Sequence, residues 1–186
     1  TMPFLSDASV LYKFEVPSSQ RVLLNKEDHT AQAIPLHEAL DASFKSQPGL
    51  LDQLDQAIAQ KTLPLAYFDH PIVKANRTWV FPISIVLDGV PYSHTDSVTG
   101  VWLINELTGE RHLVLALRKK LLCVCGCRGW CTFYSVFAFL AWCIGAMAKG
   151  IFPMARHDGR PWQPSDDARA RMAGMAMARP ACVLYI

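Results

Sequence analysis

Four cysteines fall within nine residues of this chain, at Cys123, Cys125, Cys127 and Cys131. Thiolates are preferred ligands of zinc, which they surround tetrahedrally, usually as two short-spaced pairs separated by a loop. Here one, one and three residues separate successive cysteines, and that crowding makes it hard for a single ion to collect all four. All four are candidate zinc ligands, and a site using two or three of them with a distant His112 or His157 is sterically possible as well. The competing reading is structural: free cysteine is a small apolar residue that is commonly buried, here at a tight turn. Cys143 and Cys182 stand apart and read as ordinary core or tail residues.

Asp88, followed by Gly89, is the candidate catalytic acid. It ends an apolar run that reads as a strand, and a carboxylate on a rigid central strand is a natural first ligand for Mg²⁺ in phosphoryl transfer. One carboxylate is not enough. The acids nearby or downstream are Asp96, in a polar loop, and Asp158 and Asp166, in the tail. Asp-Gly at a strand end is also an ordinary turn. His94 lies near Asp96, and His157 opens a His-Asp-Gly turn. No Ser/His/Asp arrangement, phosphate-cradling glycine loop or metalloprotease helix is present.

The elements that must position these residues are partly legible. Leu36, Leu40 and Phe44 recur at four-residue spacing after Pro35, which predicts a helix over residues 36–46. Pro48-Gly49 ends it, and a second amphipathic helix is expected over 50–61. Residues 63–74, interrupted by Pro64 and Pro71, read as extended or irregular. Asn76-Arg77-Thr78 matches a glycosylation acceptor, a chance match without a secretory signal. Strands are expected over 83–87, 98–107 and 111–117, with Thr108-Gly109 as the second turn. They make residues 82–120 a three-stranded antiparallel β-meander. A helix follows over the uncharged residues 129–148, and a short one over 168–178 after Ser165-Asp166-Asp167. Up to residue 25 there is no clean period; 6–12 suggests a helical turn and 17–19 a loop.

Composition bounds the rest. Of 186 residues, 51% are hydrophobic and 18% charged, which argues for a packed domain and against disorder. A net charge of +2 does not by itself imply nucleic acid or an acidic membrane. Its distribution is one-sided: no Asp or Glu occurs from Arg111 to His157, where Arg118, Lys119, Lys120, Arg128, Lys149 and Arg156 also lie. Such a stretch can meet phosphates or lipid headgroups, or simply supply solvated element ends. The twenty residues 129–148 have the minimum length for a bilayer span; against the preceding meander they read better as a helix buried on a sheet. The chain opens on Thr1, as a fragment or a chain starting upstream would. Its first twenty residues lack a signal-peptide layout, so reduced thiols or metal ligands in an intracellular setting are expected.

The order strand with terminal Asp88, second strand, third strand, helix resembles the opening half of an RNase H-like fold. Residues 81–90, 101–107 and 111–114 look like the corresponding segment of Plavaka/KDZ-type transposases. More closely, Asp88-Gly-Val-Pro-Tyr, Leu117-Arg-Lys-Lys, Cys125-Gly-Cys-Arg-Gly-Trp-Cys131 and Arg156-His-Asp-Gly159 resemble recurrent mobile-element-type reading frames of dinoflagellate genomes. This resemblance covers roughly residues 63–162. It implies DNA as partner, Mg²⁺ as cofactor, Asp88 as first metal ligand and a nuclear location. The remaining strands and acids of such a domain would lie beyond Asp158, where a short Ala/Arg/Met-rich tail stands. The resemblance therefore implies a truncated domain, inactive as a nuclease.

The expectation is thus an α+β chain: a mostly helical segment over 1–62; meander, cysteine turn and apolar helix over 63–153; loop and short helical tail over 154–186. Its meander and packed helices would form a partial RNase H-like fold. Three function classes follow: the truncated transposase-like domain, a non-enzymatic module binding zinc or a partner through the cysteine turn, and a single-pass membrane protein using 129–148.

Overall fold

A computed structural model describes residues 11–19, 25–76, 79–91, 93–94 and 96–185. The expected meander is present: β3 (Phe81–Pro91), β4 (Ser97–Asn105) and β5 (Arg111–Arg118) pair antiparallel in sequence order. Residues 81–85 of β3 are all buried, Ser84 among them, whereas Val86 and Leu87 at the end of the expected apolar strand are exposed and half-buried. Gly109, in the left-handed region with φ 71°, turns the chain between β4 and β5.

The sheet is larger than the meander. Two strands, β1 (Tyr12–Ser19) and β2 (Lys26–Ala33), form an antiparallel hairpin in the segment expected to be mostly helical. β1 alternates cleanly, with Tyr12, Phe14 and Val16 buried and Lys13 and Glu15 exposed. β2 joins β5 through one pair, Ala33 with Leu115, and the amide of Ile34 donates to the Val114 carbonyl at 2.9 Å. At the other edge β6 (Ala181–Tyr185) pairs parallel to β3; those closing residues gave no sequence signal. The result is a six-stranded mixed sheet in the order β1-β2-β5-β4-β3-β6, curled into a half-barrel.

The helices α1 (Leu36–Ser46) and α2 (Leu50–Ala59) occupy the expected positions. Residues 63–74, expected to be irregular, instead hold two short helices, α3 (Leu65–Asp69) and α4 (Pro71–Ala75). The prolines start helices here: each precedes or occupies the first helical position, where its missing N–H costs nothing. His70 caps α4, its Nδ1 accepting from the Ile72 amide at 3.2 Å. The acceptor tripeptide at Asn76 falls partly outside the described residues, as do residues 6–10 of the suggested turn.

The long helix α5 (Trp130–Lys149) packs against β1 and β6, the two edge strands, and against α1. Its inward face carries Thr132, Val136, Phe139, Leu140, Cys143 and Met147 at helical spacing. Phe139 stacks on Phe14 with ring centroids 4.8 Å apart and on Tyr12 at 5.5 Å. Its outward face keeps Trp130, Tyr134 and Phe137 exposed. After α5 the tail is ordered by burial. A 3-10 turn at Pro164–Asp166 leads into α6 (Asp167–Met172), shorter than the expected 168–178.

Candidate metal centre

The chain leaves β5 through a 3-10 turn at Lys119–Leu121 and reaches Cys123, whose side chain is 1% exposed. It then reverses direction over six residues. Gly126 (φ 93°), Arg128 (φ 53°) and Gly129 (φ 86°) all take left-handed conformations, which glycine adopts at little cost. The Gly129 amide donates to the Cys123 carbonyl at 3.1 Å and the Trp130 amide to the Cys127 carbonyl at 3.0 Å. Gly129 then opens α5, and Cys131 sits in its first turn. This folds the Cys123–Cys127 strip back onto the helix start.

The consequence removes the difficulty that the spacing posed. All four sulfurs lie within 4.8 Å of one another, with Cys125 and Cys131 Sγ 3.8 Å apart. A tetrahedral ion with Zn–S bonds of about 2.3 Å needs its sulfurs about 3.8 Å apart. Crowding in sequence makes such convergence hard; the left-handed residues between Cys125 and Cys131 allow it. The distant histidines are engaged elsewhere. His112 Nε2 meets Ser43 Oγ at 3.1 Å, and His157 Nδ1 meets the Tyr12 hydroxyl at 2.7 Å.

The surroundings hold the cluster in place. Thr132 Oγ1 accepts from the Cys123 amide at 2.9 Å and donates to the Pro17 carbonyl at 2.5 Å, joining the cysteine turn to the end of β1. Ser19 Oγ lies 3.3 Å from Cys123 Sγ. That hydrogen bond, followed by one from the Cys125 amide, lowers the Cys123 pKa. The Cys131 amide donates to Cys127 and brings its thiol down to about 6, whereas hydrogen bonding to Cys127 pushes Cys131 up to about 12. The split has a simple cause: without a cation, four negative sulfurs cannot coexist at this spacing, so one site ionises while its neighbour keeps its proton. A divalent cation would remove the conflict. Cys125 is exposed and Cys127 and Cys131 are half-buried, so the cluster is open to solvent on one side.

The other sequence candidates do not converge. Asp88 is exposed on β3 opposite Gly100. Among the described residues, the only group of three or more potential metal ligands is the cysteine cluster. Asp96 is buried and accepts from Arg118 Nη2 at 2.9 Å and from the backbone of Ser97 and Lys120. Asp158 is exposed beside Arg160. His94 is exposed in the β3–β4 loop.

Asp166 belongs to a buried ion network that the sequence did not reveal. It pairs with Arg156 and, at 3.4 Å, with Arg169. Arg169 also reaches Glu38 on α1 at 2.6 and 3.0 Å, and Arg156 donates to the Lys13 carbonyl at 2.7 Å. Both guanidinium groups lie over the Tyr12 ring. Burial pushes the Tyr12 hydroxyl up to about 12. The only sequence hint was the acidic start of α6 with arginines three and four residues on. Two of the seven cations in the acid-free stretch, Arg118 and Arg156, are thereby paired with acids outside it.

Cys143 and Cys182 are core residues, fully buried, and burial raises both thiols, Cys182 to about 12. The helix α5 is long and apolar enough to cross a bilayer, with a mean hydropathy of 1.7, yet one face of it is packed on the sheet. Comparison with protein-family models, curated proteins and solved structures found no match to this chain.

Proposed function

We propose that this chain is a non-enzymatic α+β module in which Cys123, Cys125, Cys127 and Cys131 hold one zinc ion. The observation that carries the reading is the convergence of four sulfurs within 4.8 Å. Closed four-thiolate sites hold structural zinc, with no open position for substrate. Iron–sulfur clusters place metal and sulfide atoms between the cysteines and need a wider ring of ligands than this one. The ion would fasten the strand-to-helix corner between β5 and α5, from which the exposed Trp130, Tyr134 and Phe137 project. Metal analysis of protein purified under reducing conditions tests the reading. One zinc per chain, lost in Cys125→Ser, is the expected result, and folded metal-free protein would exclude it.

A second reading concerns descent and is compatible with the first. We infer an RNase H-like, transposase-type lineage acting on DNA in the nucleus, with this chain itself lacking nuclease activity. Its support is the position of β3, which is flanked by β4 and, through the crossover carried by α5, by the parallel strand β6. Asp88 itself lies four residues beyond the β6 pairing, with β4 alone beside it, so the support is the strand order and not the setting of this carboxylate. A plasmid-nicking assay with Mg²⁺ or Mn²⁺ decides the activity. No cleavage is expected, and cleavage abolished by Asp88→Asn would show an active enzyme instead.

A further inference from the structure

The four cysteines are chemically unequal, and that inequality extends the zinc reading to its regulation. Cys123 is 1% exposed, with its sulfur against Ser19 and its amide on Thr132. Cys125 is exposed, and its sulfur lies 3.8 Å from that of Cys131 in the first turn of α5. A disulfide needs about 2.05 Å, so the two sulfurs must close less than 2 Å. Cys125 stands between Cys123 and Gly126, in the stretch whose direction is set by left-handed residues and not by a ladder or helix. Cys131 is fixed by its helix. The solvent-facing sulfur thus belongs to the adaptable side of the site, and its nearest partner to the rigid side.

We propose that the cysteine centre is a redox-released metal site, in which a hydroperoxide joins Cys125 to Cys131 and expels the ion. The proposal rests on metal binding at this centre. The Cys125 thiolate attacks a peroxide oxygen, the O–O bond breaks, and the sulfur becomes a sulfenic acid with loss of hydroxide. The Cys131 thiolate then attacks that sulfur, the S–O bond breaks, and a second hydroxide leaves. Two electrons pass from the sulfurs to the peroxide, and two protons from solvent complete two waters. With two of its four ligands joined, the ion departs and leaves the Cys123 and Cys127 sulfurs without it. A dithiol reverses the step and restores the ligand set. Thr132, Ser19 and Pro17 hold Cys123 in either state, so release of the ion frees the turn before it frees the helix start.

The test uses the whole chain loaded with zinc and treated with hydrogen peroxide, with released zinc read by a chromophoric chelator. Trypsin cuts after Lys120 and Arg128, so residues 121–128 carry Cys123, Cys125 and Cys127 while residues 129–149 carry Cys131 and Cys143. One zinc released per disulfide, with the two peptides linked through Cys125 and Cys131, is the expected outcome. Cys125→His keeps a fourth ligand but no oxidisable sulfur and is expected to release zinc at least about tenfold more slowly. Zinc retained under peroxide, a disulfide confined to residues 121–128, a link through Cys143, or unchanged release in Cys125→His would each overturn the proposal. Failure of the reduced chain to take up zinc at all is a separate result, and it overturns the metal reading beneath it.

Discussion

The two ends of β1 are held in contrasting ways. At its start, Tyr12 and Lys13 are gripped by the tail: Arg156 bonds the Lys13 carbonyl, and Arg156 and Arg169 cover the Tyr12 ring while pairing with Asp166 and Glu38. Arg156, Arg169, Asp166 and Glu38 are all paired with opposite charges of the same chain. At its end, Pro17 and Ser19 are gripped by the cysteine corner, whose four sulfurs face one another. The first is a closed electrostatic knot and does structural work. The second is a set of four thiols close enough together to hold a metal ion. Convergence of like donors, more than residue type, separates a candidate site from a strong packing feature.

Breaking the knot should have the largest effect. Asp166→Ala leaves Arg156 and Arg169 buried together without their shared carboxylate, and removing one partner of a buried pair costs about 3–5 kcal/mol. A denaturant titration should show that loss, while zinc stoichiometry stays at one. Loss of metal in this variant would mean that the two ends of β1 are coupled.

Withdrawing the metal should come next. A ligand that binds only the folded state stabilises it by about 4 kcal/mol at a thousandfold excess over its dissociation constant. A chelator is therefore expected to lower the Tm of the zinc-loaded chain clearly. In Cys125→Ser it should have little effect, and an equal drop there would place the metal elsewhere.

Acid should act at both ends: protons compete with zinc for the four thiolates, and at the knot end a buried histidine resists the proton that the unfolded chain takes. Burial, reinforced by the Arg169 charge, brings the His37 pKa down to about 3, whereas an unfolded histidine titrates near 6.5. Above that value both states are neutral and His37 contributes nothing to pH dependence. As pH falls from about 6.5 towards 3, the unfolded chain takes a proton that the folded chain refuses, and stability drops. The lowered His157 acts in the same sense, and the raised pKa of Glu38 opposes them. Comparison with His37→Gln isolates the first contribution: the wild type should lose stability faster than the variant, by about one proton's worth of slope between pH 6 and 4. Parallel curves would show that His37 is protonated in the fold.

The smallest expected effect separates geometry from metal at the corner. Thr132→Val keeps the shape but strands the Cys123 amide and the Pro17 carbonyl, at a cost of about 1–3 kcal/mol for a buried unsatisfied group. Zinc should still bind with lower affinity. Undiminished affinity would show that the turn positions Cys123 without Thr132.

Much of the architecture was legible where periodicity and punctuation agree. Leu36, Leu40 and Phe44 marked α1, and Thr108-Gly109 marked the tight turn of the meander. β1 was missed although Tyr12, Phe14 and Val16 alternate, because Pro17-Ser18-Ser19 follows and reads as loop; those residues remain in the strand by pairing with β2. The polar β2 has only Ala31 and Ala33 to bury, so no apolar pattern announces it. β6 is a strand because β3 offers it an edge, a tertiary cause with no local signature. The cysteines were legible as ligands, but the ease of their convergence was not: spacing alone shows crowding, and the left-handed residues Gly126, Arg128 and Gly129 that relieve it are not announced by spacing. The ionic knot was invisible because its members lie on four separate elements.

The hydrogen bond between Tyr12 and His157 spans 145 positions of chain. The meander joins strands that are near neighbours in sequence, so its loop-closure entropy is small and it can form early. The opening strand and the tail must instead find each other across most of the sequence, after α5 has a sheet to rest on. The last step of folding is thus expected to be the docking of β1 beneath the tail. Until then the aromatic side of α5 that will cover Tyr12 and Phe14 stays open to water, and the chain is most vulnerable to association with other copies of itself while that seam is unsealed.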